Sequence, residues 1–479
     1  MFKKTKICAT IGPACADVAT LTDMVKAGMN IARLNFSHGD YASHSALIKN
    51  IRKAEEITGE PIAIMQDLQG PKIRVGGLPE VGVSIKVGEE VVFDTSLTEY
   101  KGKEIPLDYH DLHKFLEPGQ RILVDDGHIE IKVKSVEGTK ITGEVVEGAT
   151  ILSHKGLNLP DSDLNITAIS EKDKKDLKFG VEQGVDLVAL SFVRSAKDII
   201  DLRFLVKQFE NELGIRNQQP IHLIAKIERH VAVENLEEIL DVTDGIMVAR
   251  GDLGLEMLAA EVPLVQKKMI DSANAHAKPV IVATQMLDSM RENRRPTRAE
   301  VSDVANAVID HADTLMLSNE TAAGKHPVLV VETMADIIAS TEKSQYDDTA
   351  LPSIHKAGTT IDVAITELSR ILAEEVKAKI VLAASISGET GRIISHVRPP
   401  LPILVGTSSQ RVQRQLNLSW GVIPFILETC ASIEELVERS IAYIKKHKIA
   451  KNGDNMVVVA GEPVGQAGNV NLVEVRKIE

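Results

Sequence analysis

No apolar stretch in this chain approaches the roughly 18 residues that a membrane-spanning helix needs, so no bilayer span is expected. The first ten residues carry lysines but only a short apolar run, broken by Gly12 and Pro13, which fits neither a signal peptide nor an anchor. Cysteine is scarce. Cys8, Cys15 and Cys430 are an odd set without metal-ligand spacing, which points to a reducing compartment and incidental thiols. Excess positive charge is also missing: the formal net charge is −13, which argues against nucleic acid or an anionic membrane as a partner. Any anionic ligand must therefore meet a local basic pocket. No repeat of solenoid length and no low-complexity tract is present. What remains is an ordinary globular composition, expected in the cytoplasm, of 479 residues, 44% apolar and 26% charged, too long for one simple core.

Two β-branched apolar runs, Lys6 to Ile11 and Asn30 to Phe36, flank Val18, Leu21, Met24 and Val25 at helical spacing, giving a strand, helix, strand unit. A second helix from about Ser43 stops at Gly59, and a third strand covers Ile62 to Leu68. The rhythm then breaks. Short alternating runs follow, such as Ile129, Ile131 and Val133 against Glu130, Lys132 and Lys134, punctuated by glycines, and they read as a small β domain inserted in a loop. Afterwards strand candidates recur at Asp186 to Phe192, His222 to Glu228, Gly245 to Arg250, Val280 to Gln285 and Thr314 to Ser318, each followed by helix-compatible sequence. Three strands before the insertion and five after it predict an α/β fold, a closed (β/α)8 TIM barrel with its chemistry at the C-terminal strand ends. Past about Asp347, strands near Lys379 to Ser385, Pro402 to Thr407, Asn455 to Ala460 and Leu472 to Arg476 predict a separate α/β domain.

Unusual polar residues cluster where these strands end. Arg33, Asn35, Ser37 and His38 close the second, and Asp67 closes the third and leads into Lys72 and Arg74. Strand alternation sends Lys226 and Glu228 to one side of the fifth. The sixth ends in Arg250, Gly251 and Asp252, the seventh in Thr284 and Gln285, the eighth in Ser318, Asn319 and Glu320. Glu228 and Asp252 are hard oxygen ligands suited to Mg²⁺. Arg33 and Lys226 would neutralise charge spreading over a transferring phosphoryl group. Any one of these residues alone is better explained by a buried salt bridge or a capped helix; their joint placement at six strand ends fits metal-assisted phosphoryl transfer.

At these residues the sequence resembles the pyruvate kinase family over essentially its whole length. The resemblance rests on Lys4 to Pro13 (KTKICATIGP), Asn30 to Gly39 (NIARLNFSHG), Lys226 to Glu228, Met247 to Gly254 (MVARGDLG), Ala283 to Met290 (ATQMLDSM), Arg295 to Asp303 (RPTRAEVSD) and Leu317 to Ala322 (LSNETA). It implies that phosphoenolpyruvate and ADP become pyruvate and ATP with Mg²⁺, for which Mn²⁺ may substitute. Arg33 would bind the phosphoryl group and Lys226 stabilise it in the transition state. Glu228 and Asp252 would hold the metal, Gly251 and Thr284 would contact the pyruvyl carboxylate, and Asn35, His38, Arg74 and Lys155 would serve the nucleotide. Thr284, Ser318 or an ordered water could protonate the enolate. The resemblance also implies a homotetramer and names the parts: barrel at 1–70 and 168–345, a small β-barrel lid at 71–167, and a regulatory α/β domain at 346–479.

Two departures from the family pattern stand out. Where family members usually read Asp-Thr-Lys-Gly-Pro-Glu, this chain reads Asp67-Leu68-Gln69-Gly70-Pro71-Lys72, and Asn319 replaces a usual glycine. The family holds a monovalent cation at the positions matching Asn35, Ser37, Asp67 and Leu68. Leu68 offers no side-chain oxygen, and Lys72 carries the same single charge on a tether, so K⁺ is expected not to be required. In the C-terminal domain Ser385, Ser387, Gly388 and Thr390 resemble the loop that binds a phosphorylated allosteric effector. Hydroxyls at a helix start suit an anion, although Glu389 would repel one, and a plain helix cap explains the same residues. Two other functions compete: a lyase or aldolase barrel of enolate chemistry, which leaves Arg74, Lys155 and the insertion unexplained, and an inactive metabolite sensor, which should lack Lys226, Glu228 or Asp252.

Overall fold

The computed structural model describes residues 3–162, 167–215, 218–347, 360–462 and 470–479. Eight parallel strands, Lys6–Thr10, Ile31–Asn35, Ala63–Leu68, Leu187–Leu190, His222–Ile227, Gly245–Ala249, Val280–Ala283 and Thr314–Leu317, close into one barrel. Each is buried along nearly its full length because helices cover the outside. Alternate residues face inward: Cys8, Ile31, Ala63, Met65, Leu187, Ala189, Ile224, Met247, Ile281, Ala283 and Met316 fill the barrel, while their neighbours pack under the helices. Three helix starts carry full capping boxes, in which Asp40, Ser170 and Thr297 each pair reciprocally with the residue three positions on. The three cysteines are free and buried.

The insertion leaves at the C-terminal end of the third strand and returns before the fourth. It is a seven-stranded sheet, Ile73–Arg74 at one edge and Ile105–Pro106 at the other, with its own core around Phe93, Ile122, Ile131 and Ile141. Its two edges meet through a Val75–Leu107 bridge and the hydrogen bonds Gly76 N to Pro106 O (2.8 Å) and Asp108 N to Arg74 O (3.0 Å), so the sheet curls back on itself. The expected return of the chain to the barrel, up to Ile166, falls within 163–166 and lies outside the described residues.

The C-terminal domain is a five-stranded sheet, one strand more than the sequence reading names. The additional strand, Val422–Ile426, contains Pro424, which removes a backbone donor and argues against a central strand; it lies at the sheet edge, where that donor is not needed. The polar stretch expected to precede this domain falls mostly in 348–359, outside the described residues. The domain docks on the N-terminal end of the barrel: Gly421 N donates to Lys4 O (2.9 Å), Lys6 Nζ to Val422 O (2.6 Å), and Arg414 makes two hydrogen bonds to Glu55 at 2.8 and 2.7 Å. Leu418 joins the inner barrel cluster and plugs that end. The opposite mouth is left to the insertion.

Candidate active site

Four cation and carboxylate side chains meet in the mouth. Lys226 Nζ stands 2.8 Å from Glu228 Oε1 and 3.2 Å from Asp67 Oδ1. The other oxygen of Asp67 receives Arg33 Nε at 2.7 Å, and Arg33 Nη1 donates to Thr10 Oγ1 at 2.9 Å. Register explains the meeting: Thr10 pairs with Arg33 and Asn35 with Asp67 across neighbouring strands. These groups are almost dry, with the Lys226 side chain 11% and that of Glu228 2% exposed, so each charge relies on its neighbours. Burial disfavours ionised Asp67, but the Lys226 and Arg33 charges outweigh it and hold the carboxyl below its usual range. Burial likewise opposes the Lys226 ammonium, and Asp67 and Glu228 more than compensate, raising it. Glu228 is pushed upward by burial first; Lys226 opposes the shift, and the nearby Asp252 charge adds to it.

Asp252 sits half-buried in the first turn of a short helix, Arg250–Glu256, that begins where the sixth strand ends. A divalent cation is what this arrangement fits. Two carboxylates press on each other in a site of low polarity, and a cation at both would hold Glu228 ionised. Among the described residues no group of three or more His, Cys, Asp or Glu could hold a metal. Two protein ligands leave positions for waters and substrate oxygens, which is the habit of Mg²⁺ and not of a closed structural site.

Beside Asp252, Gly251 N donates to Thr284 Oγ1 at 2.9 Å. Thr284 and Gln285 have φ of 72° and 54°, a left-handed backbone that a β-branched residue rarely adopts and that turns the Thr284 hydroxyl toward Gly251. Arg250 fixes this strained turn, donating to Thr284 O at 2.6 Å while pairing with Asp303 at 2.8 Å. Glu320, 1% exposed, accepts from Ser318 N (2.7 Å) and Leu287 N (3.3 Å), tying the exits of the seventh and eighth strands together. Ser318 is thus held by its backbone.

The nucleotide-side candidates are more dispersed. Asn35 Oδ1 accepts from Ser37 N at 3.1 Å. His38 is held below the usual imidazole range by burial and by the charges of Arg74, Lys72 and Arg33, which makes this rim of the mouth electropositive. Arg74 donates to His154 O at 3.2 Å, and Lys155 pairs with Asp125 at 2.7 Å, both within the insertion. The Leu68 side chain is fully buried among the residues packed under the helices. Lys72 packs its methylene chain against Gly156, where a Cβ would come within 2.7 Å of Lys72 Cε, and among the described residues its ammonium makes no ion pair or hydrogen bond.

Ser385, Ser387, Gly388 and Thr390 lie far from the mouth. Gly388, with φ of 83°, precedes the helix Glu389–His396. The two serines and Thr390 line a cavity of about 360 Å³, which Asp362, Glu389 and Glu428 also line. Thr390 is 8% exposed, and its hydroxyl makes no hydrogen bond among the described residues.

Three residues of the mouth escaped the sequence reading: Thr10, Ser191 and Phe192. Polar strand ends signal a site at six strands; the same signal at the ends of the first and fourth strands points to all three. Ser191 Oγ accepts from Lys226 Nζ at 2.7 Å, and Phe192 N donates to Glu228 Oε2 at 2.7 Å.

A parallel eight-stranded barrel whose mouth gathers two cations, three carboxylates and oriented backbone donors defines a barrel enzyme equipped for metal-assisted chemistry on an anionic substrate. Comparison with known proteins narrows this class. Residues 2–331 match the family described as "Pyruvate kinase, barrel domain", and residues 363–476 match "Pyruvate kinase, alpha/beta domain". The chain is 41% identical to the pyruvate kinase of Sporosarcina psychrophila, covering 100% of this chain and 81% of that one. It is 42% identical to those of Corynebacterium glutamicum (99% of this chain, 98% of the relative) and Mycobacterium tuberculosis (100% and 99%). The chain belongs to the pyruvate kinase family.

Proposed function

We infer that the protein transfers the phosphoryl group of phosphoenolpyruvate to ADP, giving pyruvate and ATP. The observation that carries this reading is the convergence of Arg33, Lys226, Asp67 and Glu228 in one dry mouth, beside Asp252, in a chain similar along its length to pyruvate kinases. Arg33, steadied by Asp67 and Thr10, binds the phosphoryl oxygens. Lys226 neutralises the charge that builds as the bond from phosphorus to the enol oxygen breaks and the bond to the ADP terminal oxygen forms. Glu228 and Asp252 would hold Mg²⁺ or Mn²⁺, which supplies Lewis-acid neutralisation of substrate oxygens. Gly251 N and Thr284 orient the pyruvyl carboxylate, and the enolate left behind takes a proton at its methylene carbon from Thr284, Ser318 or an ordered water. Asn35, His38, Arg74 and Lys155 serve the nucleotide, the last two from an insertion that closes over the mouth and excludes water.

Lys72 stands in for the monovalent cation, so K⁺ is not required; in support, Leu68 is buried without a side-chain oxygen and the Lys72 charge acts on the same rim as Arg33. The C-terminal cavity takes an allosteric effector. Its hydroxyls and helix start suit one phosphate, while three carboxylates and the absence of Lys or Arg among its described lining residues disfavour a second. A polyhydroxylated monophosphate fits this chemistry. We place the enzyme in the cytoplasm as a homotetramer; no helix among the described residues is long and apolar enough to cross a membrane. The test is formation of pyruvate in a lactate dehydrogenase-coupled assay. NADH oxidation should require phosphoenolpyruvate, ADP and a divalent metal together, and its absence would overturn the assignment.

A further inference from the structure

We propose that Ser191 is a positioning residue for phosphoryl transfer, holding the Lys226 ammonium in the orientation the reaction needs. The inference rests on the reading of Lys226 given above. Ser191 is 3% exposed, and its hydroxyl is committed on both sides: it donates to Leu68 O at 2.7 Å and accepts from Lys226 Nζ at 2.7 Å. With its proton given to the carbonyl, the hydroxyl can present only a lone pair to Lys226. One ammonium hydrogen is thereby fixed by Ser191 in a hydrogen bond. Glu228 at 2.8 Å and Asp67 at 3.2 Å pair with the ammonium by charge and leave its other hydrogens less directed. Those hydrogens are free to turn to an incoming phosphoryl oxygen.

The support for Ser191 is itself rigid. Gly70, in the turn that follows the third strand, has φ of 71° and packs so closely that a Cβ there would come within 3.1 Å of Ser191 Cβ and 2.9 Å of Phe192 Cδ2. Gly70 N is held by Asp173 Oδ1 at 3.1 Å. Phe192, with φ of 55°, is twisted so that its N–H reaches Glu228. Consecutive residues of one strand exit thus hold the catalytic cation and a metal-binding carboxylate. A long lysine side chain retains several rotatable bonds, so loss of its orienting partner should cost activity on the scale of about 10- to 100-fold that outer partners of metal ligands command.

The experiment compares Ser191→Ala and the near-isosteric Ser191→Cys with Lys226→Met. Phosphoryl transfer is read as kcat and KM for phosphoenolpyruvate, and the metal site as metal-dependent exchange of pyruvate methyl protons with solvent. Both Ser191 variants should lose at least tenfold in kcat, with KM and proton exchange within about threefold of wild type. A kcat loss under tenfold, or a parallel loss of exchange that marks general collapse of the mouth, overturns the proposal. Lys226→Met separates the two levels: if it keeps more than about a tenth of wild-type turnover, the role of Lys226 itself is wrong, whereas an inactive Lys226→Met beside fully active Ser191 variants removes only the role of Ser191.

Discussion

Lys226 Nζ lies 2.8 Å from Glu228 Oε1, two positions on and just past the end of the same barrel strand, and both are buried. The period of a strand places both side chains in the mouth, and their pairing lets a carboxylate proposed to bind metal stay beside the cation proposed to act on the phosphoryl group.

Removing either carboxylate proposed to bind metal should therefore be read in two ways, by metal requirement and by stability. Glu228→Gln and Asp252→Asn should each raise the Mg²⁺ concentration needed for half-maximal rate by at least about tenfold. Glu228→Gln should not lower folding stability, because burial and the Asp252 charge already disfavour the ionised carboxyl and Lys226 keeps Asp67 and Ser191 as partners. Metal titrations of initial rate, with denaturant melts, check both; unchanged titration curves in both variants would end the assignment.

Replacement of a captured ion by Lys72 should make the rate nearly flat in K⁺. Initial rates in KCl and in a bulky tetraalkylammonium chloride at matched ionic strength should agree within about twofold. Lys72→Glu should cripple the enzyme, and KCl should partly restore it, more so when Leu68→Thr is included. A wild-type rate at least about tenfold higher in KCl, equivalent to roughly 1.4 kcal/mol, would sink the idea.

Acidity in the C-terminal cavity should select among effectors. Sugar monophosphates should shift the phosphoenolpyruvate midpoint, whereas bisphosphates should do so only at about tenfold or higher concentration, and Glu428→Gln should narrow that gap. Because the coupling is reciprocal, phosphoenolpyruvate should tighten the effector. A panel of phosphates that leaves midpoint and sigmoidicity unmoved would count against the site.

Two buried histidines where the C-terminal domain meets the barrel should make the protein acid-sensitive well above the carboxylate range. Burial lowers His396 to about 4, and burial with the Arg392 charge lowers His222 to about 3. Arg392 Nη1 lies 3.3 Å from His222 Nε2. Both rings are neutral in the fold and titrate near 6.5 when unfolded. Below pH 6.5 the unfolded chain binds the extra protons, so stability is complete above that value and falls as pH drops toward 4, by roughly 2 kcal/mol per histidine at pH 5. Denaturant unfolding at pH 7.5 and 5.0 should show this loss, and His396→Leu should remove about half of it. Equal pH dependence in the variant and the wild type would refute the assignment to His396.

Much of the barrel was legible in the sequence because parallel strands covered on both faces read as continuous apolar runs, and a polar residue ending such a run has few reasons to be there. That logic reached Arg33, Asp67, Lys226, Glu228, Asp252 and Thr284. It did not reach Val422–Ile426, because Pro424 masks an edge strand, nor Ser191, which closes a run that otherwise looks like plain core.

The sequence by itself determined the order of strands and helices, the side of each strand that faces the mouth, and the kinds of charge delivered there, since these depend on period and residue type along a few neighbours. Only the tertiary structure decided which charges meet. That Arg33 turns to Asp67 through Nε, that Ser191 fixes Lys226, and that Leu418 from the last domain plugs the far end of the barrel all depend on register between strands remote in the chain. In a dry mouth a shift of an ångström or two separates a paired charge from an isolated one, and no local pattern carries that distance.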